Sequence, residues 1–148
     1  MDKPKIQLKS YIFVTVQFLC MGLIVISGSV KPSGIYRALF LTGIFLVTWA
    51  IWTMRPGKFN IVPELKGNSK LVTDGPYSFI RHPMYSAVLL IMLSLVLYDF
   101  SIFRFCTWII LLIDLILKLI YEEEILLANF FEYQEYMKQT KRLFPFIF

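Results

Sequence analysis

Four apolar stretches dominate the chain, at residues 11–30, 35–54, 83–98 and 102–121. The first two are about 20 residues long, the length of helix that crosses about 30 Å of hydrocarbon. The fourth is similar but carries Asp114 near its middle. The third makes about 24 Å of helix, so it spans a thinned region or pairs with the fourth as a hairpin that does not cross cleanly. "SGSVKPSG" is a short turn between the first and second stretches, and a tight turn near 99–101 separates the third from the fourth. Residues 55–82 form the one long polar interval. Gly57, Pro63, Gly67, Gly75 and Pro76 rule out a continuous helix there, while Phe59, Ile61, Leu71 and Val72 argue that it is ordered. From Glu122 the pattern turns amphipathic, with Leu126, Phe130, Tyr133 and Met137 at helical spacing. It predicts a cytosolic extension of the fourth helix that packs on the loop or lies along the membrane surface and ends before Pro145.

Composition strengthens this reading. The chain has 148 residues, 57% of them hydrophobic and 17% aromatic, and a positive mean hydropathy. A single domain of this size leaves much of its surface exposed and cannot hide so much apolar area in a soluble core. The expected fold is an all-α integral membrane protein with about four transmembrane helices, a cytosolic loop and a C-terminal amphipathic helix. The first apolar run is too long for a signal-peptide core, so it is expected to be retained.

The net charge of +5 raises the question of nucleic acid, but its distribution answers otherwise. Lys3, Lys5 and Lys9 precede the first apolar run; Arg55, Lys58, Lys66, Lys70 and Arg81 lie in the long interval; Lys118, Lys138, Lys141 and Arg142 lie at or beyond the end of the fourth. Lys31, Arg37 and Arg104 fall on the other side. Four spans with both termini in the cytosol follow from the positive-inside rule, and the basic excess serves orientation and lipid contact, with no nucleic-acid partner. Cys20 and Cys106 lie within apolar runs without metal-ligand spacing, so neither a zinc site nor a disulfide is expected.

Three features carry candidate chemistry. "LVTDGPYSFIRHPMY" (71–85) holds the chain's one histidine. Gly75-Pro76 fits the start of a short helical turn. His82 is pushed toward an extended conformation by Pro83, which opens the third helix. The orphan N–H groups of that helix attract an anion; Arg81 pairs with anions, and Tyr77 and Tyr85 stack or donate. The same residue types also serve as plain interfacial anchors. The second feature is Glu122-Glu123-Glu124, where successive side chains point about 100° apart. One or two face inward while another pairs with Lys118, or the run is a solvated helix segment. The third is Asp114, an intramembrane carboxylate and so a functional candidate, although a structural role suits it better because no second acid or polar ladder accompanies it.

Taken together, "LVTDGPYSFIRHPMYSA" and "EEE…YQEYMKQTKRLFP" resemble the isoprenylcysteine carboxyl methyltransferase and phospholipid methyltransferase superfamily of integral membrane enzymes. That family's pattern reads roughly LvTxGPYxxxRHPxYxG, a Glu pair, YxxY and RxxP, and the likeness covers about 59–145. The resemblance implies S-adenosylmethionine as cofactor, held in a cytosolic pocket roofed by the loop and the C-terminal helix. Ser69, Lys70, Leu71, Val72, Tyr77, His82, Pro83, Met84 and Tyr85 would line the pocket, with Glu123 as its acid, Glu122 and Glu124 as alternative registers, and Glu64 as a further polar contact. Three departures are visible: Ala87 replaces a glycine, Phe131-Glu132 replaces Phe-Gly with a shortening after it, and Lys118 stands where prenylcysteine enzymes carry an arginine for the substrate carboxylate. Lys118 and Arg142 are the candidate substrate-binding residues, though a lysine lacks the planar fork of arginine.

The implied function is methyl transfer to a lipid-like or amphiphilic acceptor at the cytosolic face, by carboxyl O-methylation or amine N-methylation. The short chain suggests a minimal prokaryotic member in the inner membrane. The alternatives are a non-catalytic scaffold that keeps the fold and, resting on Asp114 alone, a proton-coupled transporter.

Overall fold

The computed structural model describes residues 3–54 and 71–144, with side chains described from residue 8 onward. Within them lie α1 (Lys3–Ile26), α2 (Gly34–Met54), a 3-10 turn (Gly75–Ser78), α3 (Pro83–Tyr98), α4 (Ile102–Asn129) and α5 (Tyr133–Gln139). Among the described residues no sheet forms, and one isolated parallel bridge joins Ile80 to Lys141. The all-α class therefore holds. Leu8–Ile26 of α1 and the whole of α2 are long and apolar enough to cross a membrane by length and composition. The 16-residue α3 is shorter, and the 28-residue α4 is interrupted by charge.

Side-chain direction explains the apolar excess. Phe45 and Trp52 of α2 are 65% and 81% exposed, an outward apolar face that suits lipid and not water. The core lies on α3 and its neighbours. α3 packs against both α2 and α4, and α1 packs chiefly on α4. Leu111, Leu115 and Leu119, four residues apart on one face of α4, are fully buried with Leu89, Leu95 and Val96 of α3 and Cys20 and Ile24 of α1. The Trp108 ring N–H donates to the Leu89 carbonyl at 3.1 Å, tying α4 to α3.

Two helices can approach closely only where a side chain is missing. A Cβ on Gly43 of α2 would stand 2.6 Å from Ile91 Cγ1 and 3.1 Å from the Ala87 carbonyl oxygen. Ala87, which departs from the family's glycine, is completely buried. The small residue that the contact needs is supplied by the facing helix.

The first helix begins and stops earlier than its apolar run. It includes Lys3, Lys5 and Lys9 and ends at Ile26, because the next residues are held by the other end of the bundle. Arg104, 1% exposed, donates to the carbonyls of Asp99 at 2.6 Å and Ile24 at 3.1 Å. The Ser29 backbone N–H donates to Asp99 Oδ2 at 2.7 Å. Asp99 and Arg104 atoms would also lie within 3 Å of a Cβ on Gly28.

The C-terminal extension likewise departs from a continuous helix. α4 ends at Asn129, and Phe130 takes an extended conformation (φ −125°, ψ 111°) before α5 begins. A straight helix would carry residues 133–143 away from the 3-10 turn. The break turns them back, so that Arg81 N–H donates to Lys141 O at 2.7 Å, His82 N–H to Arg142 O at 3.0 Å and Lys141 N–H to Phe79 O at 3.2 Å. The predicted amphipathic face survives the break: Leu126, Phe130 and Met137 are half-buried and Tyr133 is buried.

Candidate functional site

The histidine and the glutamates meet at one end of the bundle. Gly75 adopts φ +58°, the left-handed region open to glycine, and a Cβ there would strike Thr53 Oγ1 of α2 at 2.5 Å. This seats the 3-10 turn against the end of α2. Pro76 and Tyr77 are buried in the turn. His82 caps α3, with Pro83 at its first position. Its backbone carbonyl accepts from the Tyr85 and Ser86 N–H groups at 3.1 and 3.2 Å. The Ser86 hydroxyl donates to the Leu143 carbonyl, which fastens the C-terminal segment to α3.

α4 brings the acids. His82 Nδ1 lies 3.5 Å from Glu122 Oε2, and His82 Nε2 lies 3.6 Å from Glu123 Oε1. Both are ion-pair distances, longer than a hydrogen bond. The Tyr85 hydroxyl donates to Glu122 Oε1 at 2.5 Å, and the Tyr85 ring lies parallel to His82 with centroids 5.4 Å apart. Glu123 is clamped by two arginines: Arg81 Nε donates to Oε1 at 2.7 Å and Arg142 Nε to Oε2 at 2.9 Å. Arg81 also donates to the carbonyls of Met137 and Thr140. Glu124 is exposed. The Tyr136 hydroxyl closes the far side by donating to the Tyr77 carbonyl at 2.6 Å.

Electrostatics follow from this packing. Burial pushes the Glu123 carboxyl up, but His82 and Arg81 outweigh it and hold the group at about 2. Burial lowers His82, yet Glu122 and Glu123 beside it leave it raised above its usual 6.5. Burial, with the neighbouring Tyr136 and Glu122, pushes the Tyr77 hydroxyl well up. Among the described residues, Tyr77 Oη, His82 Nε2 and Tyr133 Oη are buried and have no hydrogen-bond partner. Burying such atoms unpaired costs about 1–3 kcal/mol each, so a polar ligand that satisfied them would be stabilised there.

A second polar group lies deeper in the bundle. Lys118, 1% exposed, donates to Gln17 Oε1 of α1 at 2.9 Å and sits 5.0 Å from the centroid of the Tyr85 ring. Asp114, one turn before it, is buried, and its Oδ2 has no hydrogen-bond partner among the described residues.

Of the sequence candidates, Tyr77, His82, Tyr85, Glu122, Glu123 and Arg142 are gathered into one cluster, and Lys118 touches it through Tyr85. Pro83 contributes the start of α3. Leu71, Val72 and Met84 are half-buried and enter none of the polar contacts described above. Ser69, Lys70 and Glu64 lie outside the described residues. Gln17 was not anticipated, and its signal was a lone amide within an apolar run. Tyr133, Tyr136 and Thr140 were also missed as parts of the site, because their roles depend on the break at Phe130.

Residues 33–134, more than two thirds of the chain, match the family model described as phospholipid methyltransferase. No curated protein matches the chain. Together with the outward apolar faces of α1 and α2, the match marks a membrane protein of a methyltransferase family.

Proposed function

Since the chain belongs to the phospholipid methyltransferase family, we propose that it transfers a methyl group from S-adenosylmethionine to a lipid-like or amphiphilic acceptor at the cytosolic membrane face. One observation carries this reading. Residues more than 35 positions apart, His82 and Tyr85 on one side and Glu122 and Glu123 on the other, converge where α3 begins and α4 leaves its apolar stretch.

The residues present fit the cofactor. A half-buried carboxylate at Glu122 suits its positive charge, the stacked His82–Tyr85 pair suits a flat base or a cation, and the unpartnered Tyr77, His82 and Tyr133 atoms suit its polar groups. Ser69, Lys70 and Glu64 belong to the same proposal as the loop's contribution. When bound, S-adenosylmethionine supplies a methyl group already activated on a sulfonium, so the protein's task is orientation and exclusion of water. Tyr85 faces both ways: its hydroxyl is on Glu122 and its ring is under Lys118. Lys118 and Gln17 would meet the acceptor from the membrane side, and Arg142 from the water side. The four apolar helices are read as spans. The charges of α4 fit this because Arg104, Asp114 and Lys118 all point inward.

The test is incubation of the purified protein with methyl-radiolabelled S-adenosylmethionine and a total lipid extract. Label is expected in the organic phase. No incorporation, together with no binding of the cofactor, would overturn the reading in favour of a scaffold.

A further inference from the structure

Within that reading of the site, we infer that Asp114 is a specificity-determining residue for the acceptor. With Lys118 it forms a slot on α4 for an amphiphile that carries a neutral hydrogen-bond donor, a hydroxyl or an amide N–H, between its head group and its chain.

An ionisable side chain inside a span is costly, and it persists where it binds another helix or a ligand. Arg104 and Lys118 of α4 do the first: both donate to α1, Arg104 to the Ile24 carbonyl at 3.1 Å and Lys118 to Gln17 Oε1 at 2.9 Å. Asp114 lies between them in sequence and is 7% exposed, yet its Oδ2 has no hydrogen-bond partner among the described residues. Lys118 and the Cys20 thiol feel its charge, but neither donates to that oxygen. A buried acid oxygen that ties α4 to nothing lowers stability, so packing gives no reason for it. A ligand that donates to Oδ2 does, because a carboxyl can accept a hydrogen bond whether ionised or protonated.

The spacing selects the ligand. Asp114, Lys118 and Glu122 are four residues apart and share one face of α4. Each step rises about 6 Å, so Glu122 stands beside the candidate cofactor site, Lys118 one turn deeper and Asp114 deepest. Lys118 lies 5.0 Å from the centroid of the Tyr85 ring, whose hydroxyl is on Glu122. Its one hydrogen bond among the described residues goes to Gln17, and an ammonium has three donors. The other two suit an oxygen-rich head group. An amphiphile held there brings the linkage to its chain about 6 Å deeper, beside Asp114. A second ammonium at that level would set two buried cations about one turn apart, where a low dielectric strengthens their repulsion. A neutral donor satisfies Oδ2 without that cost. Gln17 and Cys20, both buried and three residues apart, form the α1 side of the slot.

The experiment incubates the detergent-purified full chain with methyl-radiolabelled S-adenosylmethionine and a total lipid extract, and identifies the main labelled lipid by mass spectrometry. That lipid is expected to hold a hydroxyl or an amide N–H between head group and chain. Asp114→Leu is expected to raise KM for it by about tenfold or more and to leave S-adenosylmethionine affinity, measured by calorimetry, within about twofold. The same variant should melt at a higher temperature, because an unpaired buried acid is gone. Asp114→Asn keeps a carbonyl oxygen that accepts, and should stay within about threefold of the wild-type KM. A role in packing alone gives the reverse, a lower melting temperature with KM unchanged, and that result would overturn the assignment. So would a main product without a neutral donor in its linkage, an arm that decides the matter even if Asp114→Leu does not purify. A wild-type protein that neither bound S-adenosylmethionine nor labelled a lipid would sink the methyltransferase reading itself, whereas labelling of a lipid without that donor would sink the slot alone.

Discussion

Arg81 and Glu123 form a buried ion pair, Nε to Oε1 at 2.7 Å, across 42 residues of sequence. The pair joins the segment before α3 to the far part of α4, and through Arg142 it also holds the C-terminal segment. The end of the bundle that carries the candidate site is thus closed by charge, and the other end is closed by the buried Arg104.

Removing one partner of the Arg81–Glu123 pair leaves the other charge buried. Arg81→Met is expected to cost about 3 kcal/mol and to expose 140–143 to protease. The double variant Arg81→Met/Glu123→Leu should recover part of that loss, since no charge is then stranded. Thermal unfolding in detergent measures both, and additive losses would show that the pair is not coupled.

Acid and base act on the same cluster in opposite senses. The folded Glu123 pKa is depressed to about 2 from 4.5, so its contribution is complete above about 4.5 and is lost as pH falls toward 2. His82 is raised above 6.5, so its contribution is complete below about 6.5 and is lost as pH rises through the folded value. Stability from this end should be greatest between about 4.5 and 6.5. Melting curves against pH should show Glu123→Gln flattening the acid limb and His82→Gln the alkaline limb.

Arg104 is expected to matter for folding and not for the site. Its guanidinium serves several acceptors at once, including the Asp99 and Ile24 carbonyls, and a lysine cannot reproduce that fork. Arg104→Lys should lose about 1–3 kcal/mol while the affinity of the folded protein for S-adenosylmethionine stays unchanged. A shift in that affinity would mean that the two ends communicate.

Gly43 of α2 and Gly22 of α1 should behave oppositely. Gly43→Val forces side-chain atoms against Ile91 and the Ala87 carbonyl, an overpacking cost of about 1–3 kcal/mol. Among the described residues nothing lies within 4 Å of a Cβ on Gly22, so Gly22→Ala should stabilise α1 by up to about 1 kcal/mol. Paired melting temperatures would test the contrast.

Local pattern determined much of this protein. Apolar runs bounded by Gly, Ser and Pro specify α1 to α4 because helix formation depends on neighbouring residues. Pro83 after His82 sets the start of α3, Gly75-Pro76 sets the turn before it, and the chain's likeness to its family is carried by short motifs read in order. Tertiary packing decided the rest. The rotation of α4 against α3 assigns Glu123 to two arginines, Glu122 to Tyr85 and His82, and Glu124 to the surface, a choice that three identical residues in a row cannot encode. The halt at Phe130, the partnership of Gln17 with Lys118 and the early end of α1 all depend on groups distant in sequence. Those contacts exist only after the helices have packed, when burial makes an unpaired charge or amide costly enough to select its partner.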